Sequence, residues 1–427
     1  MTNDGLKYKL GLFLYSPLIP LIYVIKDFSA PYSRVILILF FGYFGLTMYF
    51  PEGTDGYRHS ENLAAHYDNL PFSQFVDEGI RILKFDPPKE TNDDIFLHIV
   101  SYITSFFSTS YSLLYMFVGL IYGFFFVNSI YLIYSQLELK RSKVLLMLFI
   151  VFVFWKSFEG INSIRNWTGA WCMFYGVASY LFTSKKKYLG FVLLAPMIHF
   201  GYFIISFPVL VVFLAGNRPY IYFALFAMSY VVQVPLNLVS SYSSFTKLGD
   251  EKLRIYYQDD HKRQEKYSRF AETASFHKQY AIEAASVNFL ILFIFGLFIF
   301  SYFKSGAQIY QFSTLASIAL LMLTFSNLTP FVPSLVKRLE LNSYFYSLSF
   351  LLVSFNFKLQ QQVVTSSLKF FKALVICSTP VIMLYLFMQL SYIMEFADAK
   401  VFVSPLISFF SLDAALPIKE LIKDFLL

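Results

Sequence analysis

The stretch Tyr111–Tyr134 reads YSLLYMFVGLIYGFFFVNSIYLIY, which is 24 residues without a charged side chain. A helix that crosses a bilayer needs about 20 apolar residues, so this stretch predicts a transmembrane helix. Similar stretches recur at Leu10–Ile25, Val35–Phe50, Val144–Phe158, Trp167–Thr183, Tyr220–Val239, Asn288–Phe303, Ile309–Leu328, Asn342–Phe357 and Phe371–Ile393. Together they predict one all-α domain over residues 1–427, a polytopic transmembrane bundle of about 10–13 membrane helices.

The composition favours the same fold class. Of the 427 residues, 57% are hydrophobic and 14% are charged, against about 25% charged in soluble domains. The 53 Phe and 32 Tyr suit the lipid core and its interface. The net charge of +7 is explained by basic residues beside membrane helices, so no nucleic-acid partner is expected. Two cysteines form neither a disulfide framework nor a metal-binding pair.

Three segments do not fit the pattern of a simple span. Ile95–Phe107 is too short to cross comfortably, which favours an interfacial or half-inserted helix. Residues 188–214 contain Pro196 and Pro208, so they form one tilted helix or two half-helices around Phe200–Gly201. Residues 394–427 are expected to be a C-terminal interfacial segment.

Six basic clusters decide the predicted topology. They are Lys26/Arg34, Lys140/Arg141/Lys143, Lys185–Lys187, Arg218, Lys304 and Lys358/Lys369/Lys372. All six fall on one side if Ile95–Phe107 does not cross and if residues 188–214 dip in and return. The positive-inside rule makes that side cytoplasmic. Lys7 and Lys9 alone argue against this orientation, because it places the N-terminus outside.

Two long polar loops then face outward, at residues 51–94 and 240–287. The first carries ten acidic and four basic residues, and the second is rich in Lys, Arg and Tyr. Long loops on a membrane bundle are seldom idle connectors. In the second loop, Tyr256–His261 combines aromatic rings with carboxylates, which suits sugar hydroxyls or plain loop surface.

The first loop begins with a dense group of polar residues after the second apolar stretch. Asp55, Tyr57, Arg58 and His59 follow one another closely. Arg58 could bind a phosphate, and Asp55 or His59 could act as a general base. The alternative is a solvated turn.

Four further residues place ionisable groups beside apolar runs. Arg165, in the segment that begins at Asn162, either has a functional role or extends to the outer interface. His199 lies inside an apolar run and is either a buried, hydrogen-bonded imidazole or a base exposed at a helix break. Lys337 and Arg338 precede the predicted helix Asn342–Phe357 and either anchor lipid headgroups or clamp a diphosphate.

The missing motifs narrow the chemistry. The sequence contains no GxxxxGK[ST] phosphate loop, no HExxH zinc motif and no GxSxG nucleophile elbow. Its polar parts are too small for a nucleotide-binding domain, and an outward-facing site has no access to ATP or nucleotide sugars. A carrier lipid with a built-in leaving group fits as the donor, and neither a metal nor a cofactor is expected.

The order of several motifs resembles the EpsG-like, Wzy-type polysaccharide polymerases. The matching positions are Gly53-Thr54-Asp55 with Tyr57, Asp93-Asp94-Ile95-Phe96, Asn162-Ser163-Ile164-Arg165, Lys185–Lys187 and Ala195 to His199. Asn166 replaces a Gln of the family pattern. The resemblance covers residues 53–214 and weakens beyond them.

The resemblance implies a GT-C-like membrane glycosyltransferase in the bacterial cytoplasmic membrane, with its active site facing the periplasm or outside. It implies transfer of an undecaprenyl-diphosphate-linked oligosaccharide repeat onto another repeat, with a chain-length regulator as an expected partner. For this reaction Arg165 and Arg338 are expected to stabilise the diphosphate, followed by Arg58, and His199 or Asp55 to act as the base. An O-antigen ligase is the nearest alternative, and a glycan or lipid flippase is the alternative from another class.

Overall fold

The protein is all-α in its described part. The computed structural model describes residues 3–50, 52, 54–88, 91–232, 291–296, 299, 310–360, 366–411 and 417–426. Within these ranges the secondary structure is helical, and β pairing is limited to isolated bridges. The helices are α1 Asn3–Tyr15, α2 Leu18–Lys26, α3 Pro31–Leu46, α4 Asp55–Asn62, α5 Phe72–Leu83, α6 Ile95–Ser105, α7 Tyr111–Tyr134, α8 Lys143–Phe154, α9 Glu159–Asn162, α10 Ile164–Thr183, α11 Gly190–Ile198, α12 Tyr202–Ile205, α13 Phe207–Ala215, α14 Pro219–Met228, α15 Tyr310–Leu328, α16 Pro333–Gln360, α17 Ser366–Cys377, α18 Thr379–Phe396, α19 Pro405–Phe410 and α20 Ile418–Leu426.

Helices α3 and α7 pack closely against each other, and glycine makes that approach possible. A methyl group added at Gly45 would overlap the carbonyl of Tyr115, and one added at Gly119 would overlap the carbonyl of Phe41. Small residues let two helix backbones approach in this way, as they commonly do in membranes. The α3–α7 pair therefore depends on backbone contact as well as on side-chain packing.

Helices α11, α12 and α13 form a hairpin that packs along α10. Before the reversal, Cys172 of α10 contacts the carbonyl of Phe191, which lies in α11, the first helix of the hairpin. After the reversal, Ser206 contacts Met173 and the ring of Phe213 packs on Tyr180, so α13 runs parallel to α10. The turn falls at residues 199–201, which places His199 at the tip, level with the start of α10.

Helix α16 starts earlier than the sequence pattern predicts. Lys337 and Arg338 were expected to precede a helix at Asn342, but they lie in the first two turns of α16. Pro333 occupies the first helical position, where its missing N–H costs nothing, and no breaker follows before Gln360. Both cations are therefore fixed on a helix that packs against α15.

Two predicted single spans are broken. The stretch Leu10–Ile25 is divided between α1 and α2 at Ser16 and Pro17, since proline cannot donate the next helical hydrogen bond. The stretch Phe371–Ile393 is divided between α17 and α18 at Ser378, two residues before Pro380. The segment 51–94, expected as a loop, contains α4, a π-helical turn at Leu63–Tyr67 and α5.

Two helices in the described part are long and apolar enough to cross a membrane, α7 and α18. Shorter apolar helices occur at Pro31–Leu46, Ile95–Ser105, Lys143–Phe154, Tyr202–Ala215, Pro219–Met228 and Phe312–Leu328. Length and composition do not separate a spanning helix from the buried core helix of a soluble protein, so the expected number of spans stays a prediction.

Several expectations lie outside the described residues. The loop 240–287 with Tyr256–His261, the end of the stretch Tyr220–Val239 and most of the stretch Asn288–Phe303 fall there. In the C-terminal segment 394–427, Asp398 donates its backbone N–H to Thr47 and Ile418 donates to Ala397, so the described part packs beside the end of α3.

Candidate functional site

A polar cavity of about 340 Å³ opens where the ends of several helices meet. Its volume lies within the range of about 300–1,000 Å³ that is usual for ligand pockets. Seven of the nine residues predicted from the sequence line it, namely Asp55, His59, Asn162, Arg165, His199, Lys337 and Arg338. Of the other two, Arg58 forms an ion pair with the exposed Asp55, and half-buried Tyr57 packs against the hydrophobic core.

The lining is strongly basic. Arg165 comes from the first turn of α10, Lys337 and Arg338 from the first turns of α16, and Lys156 from the segment after α8. The lining carboxylate is that of Asp55, which already contacts Arg58. Four cationic side chains around one cavity favour an anionic ligand, and guanidinium groups bind phosphate oxygens through paired hydrogen bonds.

Lys156 is a cavity residue that sequence reasoning missed. Its φ angle of 47° places it in the left-handed region, which non-glycine residues rarely adopt. Its carbonyl accepts hydrogen bonds from the hydroxyl of Tyr122 and, at 3.3 Å, from the indole Nε1 of Trp171. Its ammonium group lies 5.3 Å from the centre of the Trp167 ring. These contacts direct a cation toward the cavity.

Asp94 is the second missed residue, and it connects two predicted ones. Its Oδ2 atom lies 2.8 Å from Arg165 Nη1 and 3.2 Å from His199 Nδ1. The backbone N–H of Phe200 donates to Oδ1 at 2.6 Å. Burial of the carboxyl raises its pKa, but His199, Arg165 and the Phe200 N–H outweigh that effect and lower the pKa to about 2. Asp94 is therefore ionised at neutral pH.

The other side of Asp94 is apolar. The carboxylate also borders a small recess formed by Ile82 and Leu83 of α5, Ile95 of α6, and Pro196 and Phe200 of the hairpin. Asp94 therefore lies between this recess and the two side chains, Arg165 and His199, that line the basic cavity.

A buried network fixes the chain just before Asp94. His98 donates from Nε2 to the carbonyl of Phe75 at 3.0 Å, because a carbonyl can only accept. Its Nδ1 atom must therefore accept from the hydroxyl of Tyr67, at 2.9 Å. The same hydroxyl accepts from Asn92 Nδ2 at 2.9 Å. Asn92 lies two residues before Asp94, so this network fixes the position of the chain that leads into Asp94.

The hairpin tip places His199 against α16. The Nε2 atom of His199 is buried and has no hydrogen-bond partner among the described residues. A methyl group at Gly201 would lie 3.1 Å from Arg338 Nη1 and 3.5 Å from His199 Nε2, so both side chains border Gly201. Behind them, Tyr202 donates to the Asn166 carbonyl at 2.8 Å, and Asn342 Nδ2 donates to the Arg338 carbonyl at 2.8 Å.

No family model, curated protein or solved structure matches this chain. Any functional conclusion therefore depends on the residues around the cavity and on the motif resemblance of residues 53–214.

Proposed function

We propose that this chain is a polytopic membrane glycosyltransferase that polymerises undecaprenyl-diphosphate-linked oligosaccharide repeats into a surface polysaccharide. The observation that carries the proposal is a cavity, lined by described residues, in which four cationic side chains lie together with the imidazole of His199. A lipid diphosphate leaving group requires cationic stabilisation, and an attacking sugar hydroxyl requires a base. The motif resemblance of residues 53–214 supplies the substrate class.

The reaction assigns one role to each group. Arg165, Arg338, Lys337 and Lys156 hold the diphosphate of the donor and stabilise the charge that develops as it leaves. The acceptor hydroxyl oxygen forms a bond to the anomeric carbon of the donor, while the bond from that carbon to the diphosphate oxygen breaks. The electron pair of the broken bond leaves on the diphosphate, and the hydroxyl proton moves to His199.

His199 is a better base than Asp55 on geometric grounds. The carboxylate of Asp55 is 62% exposed and already paired with Arg58. The side chain of His199 is only 13% exposed, and the Nδ1 atom of its imidazole is held by Asp94. A held imidazole with one nitrogen without a partner is arranged to take up a proton. In this role the buried Nε2 atom, which like Arg338 lies beside Gly201, must become accessible when the donor binds.

A membrane setting is supported by the apolar surfaces of the helices. On α18, Met383, Phe387 and Leu390 lie on one face and are 58%, 65% and 48% exposed. On α14, Ile221, Leu225 and Met228 form a similar exposed stripe. Continuous apolar faces of this kind require a cover in water, and lipid provides it. The setting proposed is the bacterial cytoplasmic membrane, with the cavity facing outward.

Deletion of the gene in its host tests the reaction. We expect long surface polysaccharide chains to disappear from a gel while single repeats remain attached. Loss of a ligase would instead leave long chains on the carrier lipid, and loss of a flippase would leave no repeats at the outer face. Either of those results would contradict the proposed polymerisation.

Substitution of His199 tests the assigned base. We expect His199→Ala and His199→Gln to lower the rate of chain growth by about 10²–10⁴-fold, because a general base contributes that much. Repeats should accumulate while the amount of protein in the membrane is unchanged. The glutamine keeps one hydrogen bond to Asp94, so chain growth restored in His199→Gln would show a structural role.

A further inference from the structure

Asp94 is almost completely enclosed by groups that donate to it. Its side chain is 1% exposed, and its two oxygens accept from Arg165 Nη1, His199 Nδ1 and the Phe200 N–H. A carboxylate that is enclosed in this way cannot touch a sugar or a phosphate. Any role in the reaction must act through the groups that it holds.

The contact with His199 determines where the imidazole carries its proton. An ionised carboxylate only accepts hydrogen bonds, so His199 Nδ1 must be the donor. In the neutral imidazole, Nε2 then carries the lone pair. Charged groups near this ring are Asp94 itself, Arg165 of α10 and Arg338 of α16.

The contact with Arg165 determines how the guanidinium is oriented. Its Nη1 atom is held by Asp94, while its side chain remains 28% exposed and lines the cavity. The planar guanidinium has five N–H donors in a fixed arrangement, so holding one nitrogen orients the others. One carboxylate thus fixes both the base and one of the phosphate-binding cations.

We propose that Asp94 is the positioning residue of the site: it holds His199 as the Nδ1–H tautomer and aims Arg165 at the diphosphate. This inference rests on the proposed glycosyl transfer. During the step the hydroxyl proton moves to Nε2, and the ionised Asp94 stabilises the imidazolium that results. The same division of roles between a carboxylate and a histidine operates in serine proteases.

The decisive variant is Asp94→Asn, which preserves size but replaces one accepting oxygen with an NH₂ donor. Both oxygens of Asp94 accept hydrogen bonds, so in either orientation of the amide its NH₂ group faces another hydrogen-bond donor. Because the backbone N–H of Phe200 cannot turn away, the amide oxygen stays on the Oδ1 side and the NH₂ group faces His199, so the imidazole must change tautomer. Asp77→Asn is the matched control, because Asp77 is an exposed carboxylate of α5 in the same segment.

The first measurement is the tautomer of His199 in the full-length protein in lipid nanodiscs. The chain has six histidines, and after ¹⁵N-histidine labelling the signal of His199 is the one that His199→Gln removes. We expect Nδ1–H in the wild type and in Asp77→Asn, and Nε2–H in Asp94→Asn. Nε2–H in the wild type at neutral pH would overturn the inference without any variant.

The second measurement separates catalysis from binding. In Asp94→Asn we expect kcat for chain extension to fall at least about 100-fold, since the tautomer change alone costs about 10⁴-fold in serine proteases. Binding of undecaprenyl diphosphate should weaken severalfold, through the misaligned Arg165. A kcat within threefold of the wild type would contradict the inference, as would a wild-type tautomer in Asp94→Asn.

The two proposals fail in different ways. The tautomer and the binding of undecaprenyl diphosphate are measured without turnover. A wild-type protein that binds the lipid with Nδ1–H on His199 but extends no chain contradicts the polymerase and supports the arrangement around Asp94. A polymerase whose His199 is insensitive to Asp94→Asn contradicts the positioning role alone.

Discussion

At the scale of the residue, His59 shows how the basic cavity acts on its neighbours. Burial lowers its pKa first, and the positive charges of Arg165 and Arg58 lower it further. Asp94 opposes them, but the pKa still falls from 6.5 to about 3. The imidazole is therefore neutral at pH 7 and adds no charge to the cavity, where it can donate or accept a hydrogen bond to a sugar.

This shift predicts how stability depends on pH. Between pH 6.5 and about 3, His59 takes up a proton in the unfolded chain but not in the folded protein, so acidification favours unfolding. We expect His59→Gln to match the wild-type Tm at pH 8 and to lose less Tm than the wild type on going to pH 5. Thermal unfolding in detergent measures both. Parallel Tm curves for the two proteins would show that His59 titrates normally.

The sequence predicts those site residues that are ionisable and lie beside apolar runs. Arg165 and His199 stood out because ionisable groups are rare beside apolar runs, and the structure brings both to the cavity. Asp94 lies in the motif Asp93-Asp94-Ile95-Phe96, but it did not stand out as a site residue, because it is one of ten acidic residues in its segment. Its burial and its three donors depend on the hairpin tip and on α10, which lie far away in the sequence.

At the scale of the element, the α3–α7 contact determines where the segment with Asp55 begins. Gly45 lies one residue before the end of α3, and the ring of its partner Tyr115 packs at an angle against Phe50, with ring centres 4.1 Å apart. A methyl group at Gly56 of α4 would in turn overlap the Phe50 ring. A series of contacts thus connects the α3–α7 pair, through Tyr115 and Phe50, to α4 at the edge of the cavity.

A methyl group in this contact should destabilise the protein. We expect Gly119→Ala to lower the free energy of unfolding by about 1–3 kcal/mol, because the added carbon overlaps a backbone carbonyl that cannot turn away. Gly190→Ala is the control, since a methyl group there meets no atom within 4 Å. Thermal unfolding in detergent compares the two variants. Equal Tm values for Gly119→Ala and Gly190→Ala would mean that α3 and α7 can move apart with little loss of stability.

Helix bounds were predictable where apolar runs end at charged or polar residues, as α7 shows. They were less predictable where proline lies within a run. Pro17 and Pro380 break their stretches, and Pro196 lies inside α11 while the break itself comes at residues 199–201. The start of α16 was missed because Lys337 and Arg338 made its first turns look like a loop. Apolar periodicity cannot detect a helical turn that faces a polar cavity.

At the scale of the whole molecule, the two ends of the helices differ in chemistry. One end holds the cavity, the hairpin tip and the start of α10. At the opposite end of α7, Tyr131 stacks on Phe28 at 4.5 Å, and Gln360 of α16 donates to Glu138 at 2.8 Å. The basic residues beside these contacts include Arg34, Lys140 and Lys358. The proposed topology places this basic end in the cytoplasm.

Cysteine labelling tests that topology, with Cys172→Ala and Cys377→Ala as the background because the chain has two cysteines. Asp77→Cys and Ser243→Cys report on the segments 51–94 and 240–287, and Lys186→Cys reports on the basic end. An impermeant thiol reagent, applied to intact cells without their outer barrier, should label the first two positions. Lys186→Cys should react only after the membrane is opened, because a charged reagent cannot cross the apolar core. Labelling of Lys186→Cys in intact cells, or protection of Asp77→Cys, would place the cavity on the cytoplasmic side. The donor could then be a nucleotide sugar, and the argument for a lipid-linked donor would lose its physical basis.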